Sequence, residues 1–91
     1  MDLEQCVLEI INNFSSGDYF DSHTVINTLI AKPEYHLAYL RGYSPNSSVA
    51  QYHGNIAKLI GSINLTRQIG TAKSHTIYGD LSANMLWQKD K

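Results

Sequence analysis

A chain of 91 residues with 43% hydrophobic and 16% charged side chains is long enough for one modest hydrophobic core and too short for two. That balance excludes intrinsic disorder, and the single cysteine, Cys6, excludes an intramolecular disulfide and a cysteine-rich zinc site. The net charge of −1 conceals an asymmetry: residues 1–40 carry −5 and residues 41–91 carry +4.

The acids of the first part are Asp2, Glu4, Glu9, Asp18, Asp21 and Glu34, opposed only by Lys32. The bases of the second are Arg41, Lys58, Arg67, Lys73, Lys89 and Lys91, opposed by Asp80 and Asp90. Polarity of this kind fits an oriented electrostatic contact. No apolar run approaches a membrane span, and Met1-Asp2-Leu3-Glu4 carries acids where a secretory leader carries bases. A single cytoplasmic domain over residues 1–91, making no membrane contact, is expected.

Along the chain, Leu3, Val7, Ile10, Ile11 and Phe14 form one apolar stripe at helical spacing. Asp2 is placed to cap that helix, and Ser15-Ser16-Gly17 to end it. Asp18-Tyr19-Phe20 reads as a brief strand, an edge partner for a later hairpin. Asp21 or Ser22 then caps a second helix with Val25, Ile26, Leu29 and Ile30 on its core face. Pro33 interrupts it and opens a further helical segment, since proline is tolerated in a first turn. There Leu37 and Leu40 share a face, with Tyr35, Tyr39 and Tyr43 around them, and Gly42 with Ser44-Pro45-Asn46 ends the segment.

Ser47 or Ser48 caps the next helix, which runs to Ile63. At about 100° per residue, Val49, Tyr52, Ile56, Leu59, Ile60 and Ile63 gather on a core side. Gln51, Gly54, Asn55, Lys58 and Ser62 gather opposite them. Leu65 to Lys73 reads as an irregular lead-in. Ser74 to Tyr78 has strand character, Gly79-Asp80-Leu81-Ser82 is turn chemistry, and Ala83 to Gln88 is the return strand. The fold class is α+β: three to four helices followed by a C-terminal β-hairpin.

This order of elements resembles the winged-helix (winged helix-turn-helix) DNA-binding superfamily over nearly the whole chain. The likeness is carried by the capped helix after Asp18-Tyr19-Phe20, the helix Ser48–Ile63 and the hairpin around Gly79-Asp80. It implies that Ser48–Ile63 is a recognition helix for the major groove and that the hairpin is a wing beside it. Two features depart from the plain pattern. The Pro33–Asn46 connection is longer than a simple turn, and the wing tip carries Asp80 where basic residues would favour minor-groove insertion.

The side chains suit that role. Gln51 and Asn55 are amides four residues apart, able to pair with an adenine edge, and Lys58 can reach a guanine or a phosphate. Gly54 admits close backbone approach. Ser47 and Ser48 lie where a helix start favours phosphate, and Arg67, Lys73 and Lys89 are candidates for backbone contacts. Sequence-specific binding of double-stranded DNA by a small transcriptional regulator is therefore the expected function.

The alternative is a winged helix used only for protein interaction. Tyr35, Tyr39 and Tyr43 repeat every fourth residue, either sealing the core or forming an interface, for example of a homodimer. Catalysis has no comparable signal. His23, His36, His53 and His75 lack ligand spacing, and no nucleophile or phosphate-loop motif occurs. Cys6 adjoins an apolar stripe, as a buried, unreactive thiol would. No enzyme activity, cofactor, metal or small-molecule ligand is expected.

Overall fold

The structure, a computed structural model, describes residues 2–75, 79 and 81–90. Its elements are α1 (Leu3–Asn12), β1 (Tyr19–Asp21), α2 (Ser22–Ala31), α3 (Pro33–Gly42), α4 (Val49–Ser62), β2 (Thr66–His75) and β3 (Leu81–Lys89). The fold is α+β: four helices and a three-stranded antiparallel sheet of order β1-β3-β2, the last two strands forming a C-terminal hairpin.

Local chemistry sets the helix boundaries. The Asp2 carboxylate accepts from the Gln5 amide at 2.8 Å while Gln5 Oε1 accepts from the Asp2 N–H at 3.0 Å, a capping box that satisfies two amides without helical partners. At α2 the cap is Asp21, which takes both the Thr24 amide and its hydroxyl. Burial alone would raise the Asp21 pKa, but hydrogen bonds from Thr24 and the Ser74 hydroxyl outweigh it and hold the carboxyl below 3.8. The neighbouring Ser22 is buried, and its hydroxyl accepts from Trp87 Nε1 at 2.9 Å, which ties the start of α2 to β3. Pro33 stands at the first turn of α3, separated from the end of α2 by Lys32 alone.

After α1 the chain reverses through Gly17, whose φ of +90° is costly for any residue with a Cβ. The reversed segment is tied to the end of β3 by Gly17 N–H to Lys89 O and Lys89 N–H to Asp18 O, both 2.8 Å. The segment after α1 and the last strand are thus joined at the root of the hairpin. Phe20 on β1 is buried and stacks on Phe14, with ring centroids 4.6 Å apart.

The core lies where α1, α2, α3 and α4 meet the inner face of the sheet. It comprises Val7, Ile10 and Ile11 of α1, Val25, Ile26 and Leu29 of α2, Ile56 and Ile60 of α4, and Trp87 of β3. Cys6 is fully buried among them, and burial pushes its thiol pKa up, so thiolate is disfavoured.

Two expectations about structure are corrected. The stretch expected to be an irregular lead-in is β2 from Thr66 onward, paired with β3 from Thr66↔Lys89 to His75↔Leu81 with a bulge between Gln68 and Gly70. Much of β2 is open to solvent, so the strand is specified by its backbone ladder and lacks an apolar alternation. On α3, the face shared by Leu37 and Leu40 is the outward one: they are 55% and 53% exposed, while Tyr35, Ala38 and Tyr39 are buried. Val49, expected on the core side of α4, is 42% exposed, because it lines the open hollow between α4 and the hairpin instead of the packed core. The expected turn residue Asp80 and the strand residues Thr76, Ile77 and Tyr78 lie outside the described residues, as does Lys91. Gly79, at φ +87°, has the left-handed backbone of a turn.

Candidate nucleic-acid interface

Helix α4 has three faces. Tyr52, Ile56 and Ile60 are buried against the other helices. A second flank looks toward the hairpin, and Ala50, His53, Gly54 and Ala57 line a cavity of ≈ 410 Å³ whose far wall includes Ala83 and Met85 of β3. The third face is open and polar: Gln51, Gly54, Asn55 and Lys58 border a shallow depression of ≈ 500 Å³ with Asn46 and Ser47. Gly54 belongs to both hollows, and a Cβ built there meets nothing within 4 Å. The two surfaces are therefore continuous across the glycine.

The start of α4 is fixed by a second capping box. Ser48 Oγ accepts from the Gln51 amide at 3.1 Å, and Gln51 Oε1 accepts from the Ser48 amide at 3.0 Å. This changes what Gln51 can offer. Its carbonyl oxygen is engaged by the cap, leaving the NH₂ group as a donor. Two-point pairing with an adenine edge would need a donor and an acceptor together, which the exposed amide of Asn55 has the chemistry to offer. Ser47 contributes chiefly through its backbone: its carbonyl accepts from the Tyr43 hydroxyl at 2.7 Å.

The basic residues sort by position in the hairpin. Lys73 is paired with Ala83, which lines the hollow beside α4, so directly opposed side chains bring Lys73 to the same face of the sheet. Arg67 is at the root, in the row of Gln88 and Tyr19, and its guanidinium donates to Gln88 Oε1 at 2.6 Å. It is exposed but separated along the strand from the α4 hollow.

The expected phosphate contact at Lys89 is corrected. The residue is 7% exposed, and its ammonium donates to the carbonyls of Asn12 at 3.2 Å and Phe14 at 2.6 Å. Those carbonyls lie at the end of α1, where the helix leaves acceptors unpaired and its dipole is negative. The last turn of α1 has no basic residue of its own, so β3 supplies the cation.

The tyrosines of α3 are also reassigned. An intermolecular interface on Tyr35 and Tyr39 is overturned because both are buried within the chain. Each hydroxyl has a partner inside the fold: Tyr35 donates to Glu9 at 2.8 Å, and Tyr39 pairs with His53 Nε2 at 2.8 Å. The Glu9 carboxylate, with some burial, pushes the Tyr35 phenol up to about 12. Tyr43 is half-buried and meets Tyr52 edge-on, at 5.2 Å between centroids. The stripe seals the core, the first of the two readings open to it.

On the hairpin flank, burial, with a smaller effect from the charge of His23, holds the His53 imidazole below the ordinary value of 6.5. His23 itself is anchored to the hairpin: its amide donates to Asn84 Oδ1 at 2.8 Å and its ring meets Ser74 Oγ at 2.9 Å. These bonds fix the angle between the hairpin and the helices, which sets the width of the hollow. Asn46, Ala57, Ala83 and Met85 were missed as lining residues. The alternation of Leu81, Ala83 and Met85 was the available signal for the last two.

One further regularity concerns charge. Helix α4 and strands β2 and β3 contain no aspartate or glutamate, whereas α1, β1 and α3 each contain at least one. Lys58 of α4 and Lys73 of β2 thus stand on elements that carry no carboxylate of their own, as is also true of α2. Among the described residues, no helix is long and apolar enough to cross a membrane. Comparison of the chain with protein-family models, with curated proteins and with solved structures returns no match.

Proposed function

We propose that this chain is a winged-helix domain that binds double-stranded DNA, with α4 as the reading helix and the hairpin as a supporting wing. The observation that carries the reading is the open polar face of α4, where Gln51, Gly54, Asn55 and Lys58 border one hollow; across Gly54 it joins a second hollow walled by β3, which pairs with the Lys73-bearing β2 in a hairpin whose two strands hold no carboxylate. In this reading Asn55 reads a base edge and Gln51 donates to a base or phosphate. Lys58 and Lys73 neutralise phosphates on either side, and Gly54 lets the duplex approach the helix backbone. Regulation of transcription by a small protein is the matching role.

The test is a titration of fluorescent duplex DNA across salt concentrations. Binding should weaken linearly in log–log form as salt rises, and Lys58→Ala and Lys73→Ala should each reduce the slope by about 1. Asn55→Ala should relax sequence preference while leaving the slope unchanged. Arg67→Ala should have the smallest effect of the charge removals. Absence of affinity at about 50 mM salt, where phosphate contacts are strongest, would sink the proposal.

A further inference from the structure

The tyrosines of α3 point inward, so its outward side is composed differently. At about 100° per residue, Glu34, Leu37, Leu40, Arg41 and Pro33 fall on one arc, opposite the arc of Tyr35, Ala38 and Tyr39. The buried arc meets α1 through Glu9 and α4 through His53, so Leu37 and Leu40 face away from both, while Arg41 at the edge of the arc borders a shallow hollow with Asp2 and Leu3 at the start of α1. Leu37 and Leu40 are each more than half exposed, at 55% and 53%. Beside them Ile30, Ala31, Pro33 and His36 complete a hollow of ≈ 450 Å³ between the end of α2 and α3. Two neighbouring exposed leucines over an apolar hollow form an unpartnered patch, unlike scattered surface residues.

The charges say what covers it. Glu34 is in the first turn of α3 and Arg41 in the last, one on each side of the leucine pair. This also suits the dipole of the helix itself. Placed against a copy of itself in the opposite direction, the arc becomes self-complementary. A two-fold axis that sets Leu37 beside the partner's Leu40 brings Glu34 to within ~3 Å, along the helix axis, of the partner's Arg41. That offset is well within the reach of an arginine. The same operation pairs Arg41 with the partner's Glu34, so both charges are answered by one symmetric contact.

We infer that a second copy of this chain docks on the outward face of α3. The helices run antiparallel, with Leu37 and Leu40 interleaved and two Glu34–Arg41 pairs at the rim. A contact of this size, about one helix face, gives a weak dimer with a Kd of about 10–100 µM. The polar face of α4 is left uncovered. The inference stands independently of the DNA reading, because it concerns the protein alone.

Sedimentation velocity on the full chain without DNA, from about 10 µM to 1 mM, tests it. Wild type should pass from monomer to dimer in that range. Leu37→Glu, and separately Leu40→Glu, should weaken association by about 100-fold, since each places a charge in the apolar centre. Both side chains are exposed, so far-UV circular dichroism should be unchanged. Glu34→Arg or Arg41→Glu alone should weaken association by about fivefold, and the double exchange E34R/R41E should return it to within about twofold of wild type. A wild-type chain that stays monomeric throughout, or a dimer that survives Leu37→Glu, overturns the inference. Insensitivity to both single charge reversals overturns the antiparallel arrangement.

Discussion

Helices α3 and α4 meet along a seam of aromatic rings, yet they use their side chains in opposite ways. On α4 the aliphatic residues Ile56 and Ile60 go inside and the amides stay out. On α3 the large polar-tipped rings go inside and the leucines stay out. Hydrophobicity alone does not decide which face is buried. Tyr35 and Tyr39 can be buried because Glu9 and His53 are within 2.8 Å of their hydroxyls, so little is lost by desolvating them. Tyr52 completes the seam: its hydroxyl donates to the Tyr39 carbonyl, and burial pushes its pKa up to about 12. A ring that fills space and also bonds across the seam is worth more there than a leucine.

The sharpest way to break this comparison is to truncate one aliphatic residue on each helix. Ile60→Ala removes a fully buried side chain and should destabilise the fold by ~2–5 kcal/mol in urea denaturation. Leu37→Ala should fall within about 0.5 kcal/mol of wild type when measured on the monomer. Similar losses at the two positions would mean that Leu37 is packed and that the outward face of α3 has been misjudged.

Two helical glycines sharpen the comparison at intermediate size. A Cβ at Gly42, the last residue of α3, would lie 2.5 Å from the Tyr52 hydroxyl and 3.1 Å from Leu3 Cδ2. The hydroxyl is buried and bonded to Tyr39, so it cannot swing aside freely. Gly42→Ala should therefore cost ~1–3 kcal/mol, the range of overpacked cores. At Gly54 the added methyl meets open space, and helix propensity favours alanine by ~0.5–1 kcal/mol. If the reading face is where a duplex lies, Gly54→Ala should raise the midpoint of thermal unfolding while lowering DNA affinity. A variant more stable and equally tight in binding would remove Gly54 from the interface.

What was legible in the sequence follows the same physics. The stripe of α1, the caps at Asp2 and Ser48, the core residues of α2 and the order of helices and hairpin all rest on local spacing. Local spacing is what a sequence displays. The inversion of α3 rests on Glu9 and His53, which are 26 and 14 residues away from the tyrosines they serve. Lys89 had the appearance of an exposed base near a chain end. Its role depends on two carbonyls 75 and 77 residues earlier, brought to it by the β1–β3 pairing. The candidate site divided in the same way: Gln51, Gly54, Asn55 and Lys58 share one helix and were visible together. Lys73 and Arg67 could be separated only by the register of the hairpin.

The smallest expected effect comes from protons at the seam. His53 bonds to Tyr39 on α3 through Nε2 and looks toward His23 on its other flank. Because burial, and then the His23 charge, holds its folded pKa below 6.5, the folded chain disfavours the imidazolium more than the unfolded chain does. Stability from this group is complete above 6.5 and declines as pH falls below that value toward the folded pKa. The expected sign is a lower denaturation midpoint at mildly acid pH, with far-UV signal intact until unfolding. His53→Gln, which can still bond to the Tyr39 hydroxyl, should flatten the profile between about pH 7 and pH 5. An equally steep decline in that variant would assign the effect to another histidine. It would also show that the seam between α3 and α4 tolerates a charge at its edge.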